Sequence, residues 1–126
     1  GIIAVMAAPS FSDMLQKQNL NKSSKQLVAV LAKARSQSAL ERSRVTVNLN
    51  STAADTADTL NWSPSGKSAL KSTTTTLVFL PTGLVDGVVG DVNFTICDNS
   101  TNAKYSKNIS ISRMGTVQQP IDGVCT

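Results

Sequence analysis

The sequence predicts an α+β fold in which one long N-terminal α-helix packs on an antiparallel β-sheet head. Residues 10–44 contain neither Gly nor Pro and are rich in Ala, Leu, Lys, Gln and Arg, which is typical of a helix. After Val45, short runs rich in β-branched residues alternate with turn-forming sequences, which is typical of strands. A helix followed by a series of strands favours the α+β class, and 126 residues suit one compact domain.

An apolar stripe predicts which face of the helix is buried. At about 100° per residue, five side chains fall within one narrow arc, as expected for a helix that lies on a core. They are Leu20, Leu27, Leu31, Ala34 and Ser38. We expect the first four to form the contact between the helix and the sheet. Basic side chains cluster on the opposite side of the helix, namely Lys22, Lys25, Lys33 and Arg44.

Nearer its N-terminal end, the helix carries apolar side chains on a different side. Phe11, Met14 and Leu15 do not continue the stripe and point to the side that the lysines occupy further along. They cannot pack on the same core, so we expect a membrane or other subunits to cover them. The helix would then project from its head. The alternative is a kink near residues 19–21 that folds both stretches onto one body. Pro9 either opens the helix or kinks a longer one.

The chain starts with an uninterrupted apolar stretch, residues 1–8, which opens with Gly rather than Met. A helix that spans a bilayer needs about 20 apolar residues, so this stretch is far too short. A processed or truncated membrane segment would have this composition. An ordinary buried strand, or a cloning remnant at Gly1, would look similar.

Four short runs downstream of the helix are predicted strands, because they favour β-structure and several alternate apolar with polar residues. They are residues 45–49, 77–80, 92–96 and 109–112. Turn-forming residues lie between them at positions 61–66, 81–83, 86–87 and 98–100. Residues 50–59, rich in Ser, Thr, Ala and Asp, are predicted to form an exposed loop.

The net charge of +4 is concentrated in one segment. Residues 1–44 carry a balance of +5, whereas residues 45–126 carry −1. A basic balance is compatible with nucleic-acid binding, but the distribution of the charge matters more than its size. Here the charge belongs to the helix, where lysines favour a solvated or interfacial face.

The sequence contains no complete catalytic motif that we recognise. The chain contains no histidine, which removes the Ser-His-Asp and Cys-His machinery and most catalytic zinc sites. Residues 65–68 resemble the end of a phosphate-binding loop, but Asn61 stands where its first glycine would be. Residues 68–71 match S-x-x-K without the companion motifs of that hydrolase class. We therefore expect no enzymatic activity, metal or cofactor.

The chain has two cysteines, Cys97 at the end of a predicted strand and Cys125 next to the last residue. A bridge between them would fasten the C-terminal tail to the sheet. Two cysteines in a small chain with an apolar start fit an oxidising compartment such as the periplasm. Two free buried thiols are the alternative. No C-x-x-C spacing supports a metal or redox motif.

The order of these features resembles a known family. The stretch 2–11 looks like the latter part of a type IV pilin N-terminal segment, and 31–39 (LAKARSQSA) is similar to the "LxxARSxA" helix of FimT/FimU and GspH-type minor pilins and pseudopilins. Residues 78–83 (VFLPTG) resemble the family's "F-x-P-x-G" turn, and 109–117 resemble its "v-x-v-s-x-x-G-R-v" ending. The resemblance is distributed over nearly the whole chain, which makes the combination far more specific than any single motif.

The resemblance implies a minor pilin that primes type IV pilus assembly, joins other minor pilins and the major pilin, and sits at the pilus tip. It implies a leader cut by a prepilin peptidase, anchorage in the bacterial inner membrane facing the periplasm before assembly, and an extracellular pilus afterwards. Residues 1–19 would be the remnant of the hydrophobic helix, most of whose anchor is missing here, and 20–126 the head. Phe11, Met14 and Leu15 would pack in the filament core.

Two alternatives stay open within the same resemblance. FimT-like members are similar to DNA-uptake receptors that bind through a basic "G-R-x-R"-like element near the C terminus. In this chain Gly115 is followed by Thr116, and residues 118–126 contain no Lys or Arg. Only three basic residues lie nearby, namely Lys104, Lys107 and Arg113, so direct DNA binding is the less favoured alternative. The other alternative is a pseudopilin of type II secretion, because the GspH group shares the fold.

Overall fold

The computed structural model describes residues 2–71, 75–87, 90–101 and 103–125, with side chains from Met14 onward. Helix α1 spans Ile2–Glu41 and, among the residues that the structure describes, is followed by seven strands, which confirms the predicted α+β class. The strands are β1 (Val45–Leu49), β2 (Thr59–Trp62), β3 (Ala69–Leu70), β4 (Thr76–Phe79), β5 (Val92–Cys97), β6 (Tyr105–Ile111) and β7 (Ile121–Val124).

The strands form two sheets instead of the single antiparallel sheet that the sequence predicts. One sheet has the order β2-β1-β4 and the other β3-β5-β6-β7. All described pairs are antiparallel except β1 and β2, which run parallel with Leu49 opposite Trp62. Alternation along a strand reports which face is buried but carries no information on the direction of its neighbour. The exposed loop between β1 and β2 is long enough to carry the chain back to the end where β1 begins.

The structure differs locally from the sequence prediction at several element boundaries, among them the start of β6 at Tyr105 rather than at 109, and in additional strands. The helix begins at Ile2, so Pro9 lies inside it, and it continues through residues 19–21 without a break. The predicted turn at 61–66 starts too early, because Asn61 and Trp62 belong to β2 and Trp62 is buried. Strands β3 and β7 were not predicted, since they are short and owe their existence to pairing with β5 and β6.

The core lies between one face of α1 and the inner faces of both sheets. The helix supplies Leu20, Leu27, Leu31 and Ala34, none of them more than 3% exposed. The sheets supply the opposing apolar side chains, chiefly Val45, Val47, Leu60, Trp62, Phe79, Phe94, Ile96, Ile109 and Ile111. The helix contacts strands of both sheets, so its stripe is the element that joins them.

A buried serine connects the helix to the turn after β2. The Ser23 hydroxyl donates a hydrogen bond to the Asn19 carbonyl oxygen at 2.7 Å and accepts one from the Ser65 N–H at 2.8 Å. Both polar functions of the hydroxyl are therefore satisfied inside the protein, which makes its complete burial tolerable. The contact fixes the residue 63–68 segment against the helix.

Three short sequences that carry the family resemblance meet at one place in the fold. Gly83 and Gly115 both have φ near +85°, a conformation that favours glycine. Each closes a tight turn: the Gly83 N–H donates to the Leu80 carbonyl oxygen, and the Gly115 N–H donates to the Ser112 carbonyl oxygen. A Cβ atom added to Gly115 would lie 2.4 Å from the Gly83 carbonyl oxygen and 3.1 Å from Cδ of Arg35. The arginine of the helix thus packs against both glycine turns.

Substituting Gly115 with alanine is expected to destabilise the fold more than the same change at Gly87. Both have positive φ, which costs an alanine about 1–2 kcal/mol. A Cβ at Gly87 would meet no described atom within 4 Å, whereas at Gly115 it would collide with backbone. Urea denaturation should therefore show a larger loss of unfolding free energy for G115A than for G87A. Equal losses would contradict the close approach of the two turns.

Candidate functional site

The side of α1 that faces away from the core is a continuous exposed surface, here called the outward helix face. Its members fall within an arc of about 120°, opposite the buried stripe. They are Met14, Leu15, Gln18, Asn21, Lys22, Lys25, Ala29, Ala32, Lys33, Ser36, Ala39 and Leu40. The helix therefore has one side committed to its own head and another side free to contact a partner.

Both ends of the outward helix face carry exposed apolar side chains. Met14 is 56% exposed and Leu15 42% near the N-terminal end, and Leu40 is 83% exposed in the last turn. The structure thus places two of the three predicted filament-packing residues away from the core. The third is Phe11. Its side chain, like the other side chains before Met14, is not among those that the structure describes. Packing of these three side chains in a filament stays a prediction.

The family resemblance also implies that the start of α1 belongs to a membrane anchor. Within the described part of the chain, no helix combines the length and apolarity needed to cross a bilayer.

The middle of the outward helix face is basic. Lys22, Lys25 and Lys33 are exposed, with the small side chains of Ala29 and Ser36 on the same face. Among the described residues none of these lysines forms an ion pair, and the one acidic side chain described on α1, Glu41, lies away from this face. The positive charge is therefore uncompensated within the described chain.

The structure does not gather the three basic residues named for DNA binding into one patch. Lys107 forms an ion pair with Asp122 across the β6–β7 ladder, and its side chain is only 19% exposed. Lys104 and Arg113 are exposed but lie beyond opposite ends of β6, a strand that is about 20 Å long. Two isolated cations would neutralise few phosphates, which gives weak and strongly salt-dependent binding.

A cleft of about 300 Å³ lies between α1 and the β6–β7 edge. The Lys17 ammonium lies 4.3 Å from the centre of the Tyr105 ring, a cation–π contact across the mouth of this cleft. Sequence reasoning missed this pair, because residues 17 and 105 are brought together only by packing of the helix on the second sheet. The contact helps to fix the direction in which the helix leaves the head.

The two cysteines form a disulfide. Cys97 ends β5 and Cys125 directly follows β7, with Cα atoms 5.8 Å apart. The backbone N–H of Cys125 also donates to the Lys104 carbonyl oxygen at 3.2 Å. The covalent link therefore spans β6 and holds the edge strand β7 against the sheet.

The described residues give little support for a metal site or a phosphate-binding loop. They contain no group of three or more His, Cys, Asp or Glu side chains placed to hold a metal ion. The segment that resembles a phosphate-binding loop is a turn, closed by a hydrogen bond of 3.1 Å from the Ser68 N–H to the Ser65 carbonyl oxygen. The outward helix face is consequently the strongest candidate for a functional surface.

Comparison with known proteins finds solved structures that share this fold. No protein-family model and no curated protein sequence matches the chain. Two crystal forms of the type IV minor pilin FimU of Pseudomonas aeruginosa do match in structure, with TM-scores of 0.57 and 0.56. They are 17% and 19% identical in sequence, cover 86% and 81% of this chain, and are themselves covered over 96% and 97%. At this level of identity the likeness establishes a shared fold.

Proposed function

We propose that this protein is a minor pilin that primes the assembly of type IV pili and is incorporated into them, at the tip. The proposal is structural rather than enzymatic, since the solved structures it resembles are pilins. The observation that carries it is the division of α1 into two faces. One face is buried in the head, and the other exposes Met14 and Leu15 with nothing from the described head to cover them.

A helix of this kind is suited to assembly because its free side is apolar where it leaves the head. Adjacent exposed apolar side chains that form a patch on a monomer mark interaction sites, and here Met14 and Leu15 lie side by side in sequence on one continuous helix. Burial of Met14 and Leu15 against helices of other minor pilins and the major pilin would stabilise a filament. The same face would rest on the inner membrane before assembly.

The disulfide supports a location outside the cytoplasm. Disulfides persist in oxidising compartments, and the bacterial periplasm is one of them. A head that carries the Cys97–Cys125 bridge would therefore face the periplasm while the protein waits in the membrane. It would be exposed on the extracellular pilus afterwards.

Deletion of the gene in its own bacterium is expected to reduce the amount of pili that can be sheared from the cell surface. The full-length wild-type gene should restore them, and a version with M14K and L15K should not, because two lysines would enter an apolar contact without a counter-charge. I121K/V124K is the matched control, since it also adds two lysines and Ile121 and Val124 are 64% and 76% exposed on the edge strand of the head. Unimpaired piliation in the deletion strain would refute the proposal. If the protein co-purifies from its own bacterium with secretion pseudopilins and not with pilins, the result would point to type II secretion.

A further inference from the structure

The outward helix face contains a heptad seam, which is the geometry that receives another α-helix. Its positions are spaced alternately by three and four residues, so that they follow one strip of the helix that drifts by about 20° per heptad, as in a left-handed coiled coil. They are Leu15, Gln18, Lys22, Lys25, Ala29, Ala32, Ser36 and Ala39, and all eight are exposed. The second half of the seam consists of small side chains, which allow a helix to approach closely.

The lysines of this seam make a second copy of the chain a poor occupant. A copy that runs in the same direction and in register places Lys22 and Lys25 against the same two lysines, and like charges repel. A copy that runs in the opposite direction and overlaps fully brings them against Ala32 and Ala29, where they lose water without gaining a counter-charge. Lys33 adds further positive charge beside the seam.

We propose that the seam docks a helix of a different subunit, one that carries carboxylates opposite Lys22 and Lys25. This inference rests on the proposed role in pilus assembly and specifies the partner within it. The apolar residues at the ends of the outward helix face, Met14, Leu15 and Leu40, supply affinity that does not depend on the partner's sequence. The lysines select the partner by charge, which excludes the chain's own copies and favours an acidic helix.

A charge-reversed copy of the chain provides the probe for this proposal. The variant K22E/K25E/K33E keeps the shape of the seam and presents carboxylates at the lysine positions. Sedimentation velocity at low salt should show an equimolar mixture of wild type and variant associating about tenfold more tightly than either protein alone. High salt should remove this preference, because the pairs are exposed to solvent before docking.

The variant K67E/K104E/R113E is the matched control, since it changes the net charge equally but on exposed positions of the head. It should not associate with the wild type beyond the level of self-association. Circular dichroism verifies that each variant is folded, and K22E/K25E replaces the triple variant if that one is not. Equal association of the control, self-association of the wild type as strong as the mixture, or no association at low salt would each overturn the proposal. None of these outcomes depends on piliation, so the assembly role is tested separately.

Discussion

Replacing Leu31 with alanine is expected to lower the free energy of unfolding by about 2–5 kcal/mol. Leu31 is completely buried in the stripe by which α1 contacts the sheets. The substitution removes the transfer free energy of the lost methyl groups and leaves a cavity that neighbouring strands fill only in part. Since small domains have about 5–15 kcal/mol in total, the effect is a large part of the stability.

The matched control lies on the same helix. Leu40 is 83% exposed, so L40A removes the same atoms without opening a cavity in the core. Alanine is also a slightly better helix former than leucine, and the change should leave the stability within about 0.5 kcal/mol of the wild type. Thermal unfolding followed by circular dichroism should therefore separate L31A from both L40A and the wild type by about 10 °C. Similar midpoints for the two variants would mean that the stripe does not carry the helix–sheet contact.

The stripe is the part of the fold that the sequence predicts best, and the reason is geometric. A helix turns by a fixed angle per residue, so the positions of Leu20, Leu27 and Leu31 determine a face without knowledge of what covers it. The same calculation places Met14 and Leu15 on the other side, and both are exposed. Periodicity thus predicts both the buried face and the exposed face of the helix. The identity of the partner does not follow from it.

The sheets are predicted less completely, because strand pairing is decided by residues that are distant in the sequence. Trp62 follows a loop and precedes Pro64, a context that favours a turn, yet it ends β2 because it packs into the core. In β7, Asp122 and Gly123 also form a turn-like dipeptide. A Cβ at Gly123 would lie 2.8 Å from Oγ of Ser106, so this side chain would have to move to admit a larger residue there.

Long-range strand pairing also decides which basic side chains have an acidic partner. The positive charge of Lys107 has a counter-charge because the register of β6 and β7 sets it opposite Asp122. No local pattern predicts that ion pair. Lys22 and Lys25, by contrast, have no described acidic partner because the helix is flanked on that side by nothing from the described head. Local periodicity therefore locates the lysines of the proposed docking face, whereas the pairing of Lys107 with Asp122 depends on contacts between residues distant in the sequence.

Removal of the disulfide is expected to cost about 3–4 kcal/mol of unfolding free energy. Cys97 and Cys125 are 28 residues apart, and closing a loop of this length restricts the unfolded chain by that amount in the chain-entropy account. Both C97A/C125A and the reduced wild type should show the loss in urea denaturation, whereas the double variant should not respond to a reductant. Mass spectrometry should show the wild type gaining two hydrogens on reduction.

The position of the bridge predicts where the structure loosens first. β7 is an edge strand with one neighbour, and its exposed Ile121 and Val124 contribute little burial, so the bridge and the ladder to β6 hold it in place. Hydrogen exchange in the reduced protein should therefore accelerate at Gly123, which pairs with β6, more than at Val47 in the central strand β1. The helix stripe should stay protected, because Leu27 and Leu31 do not depend on the C-terminal strand. Uniform acceleration at Gly123 and Val47 would show instead that the bridge stabilises the whole head as one unit.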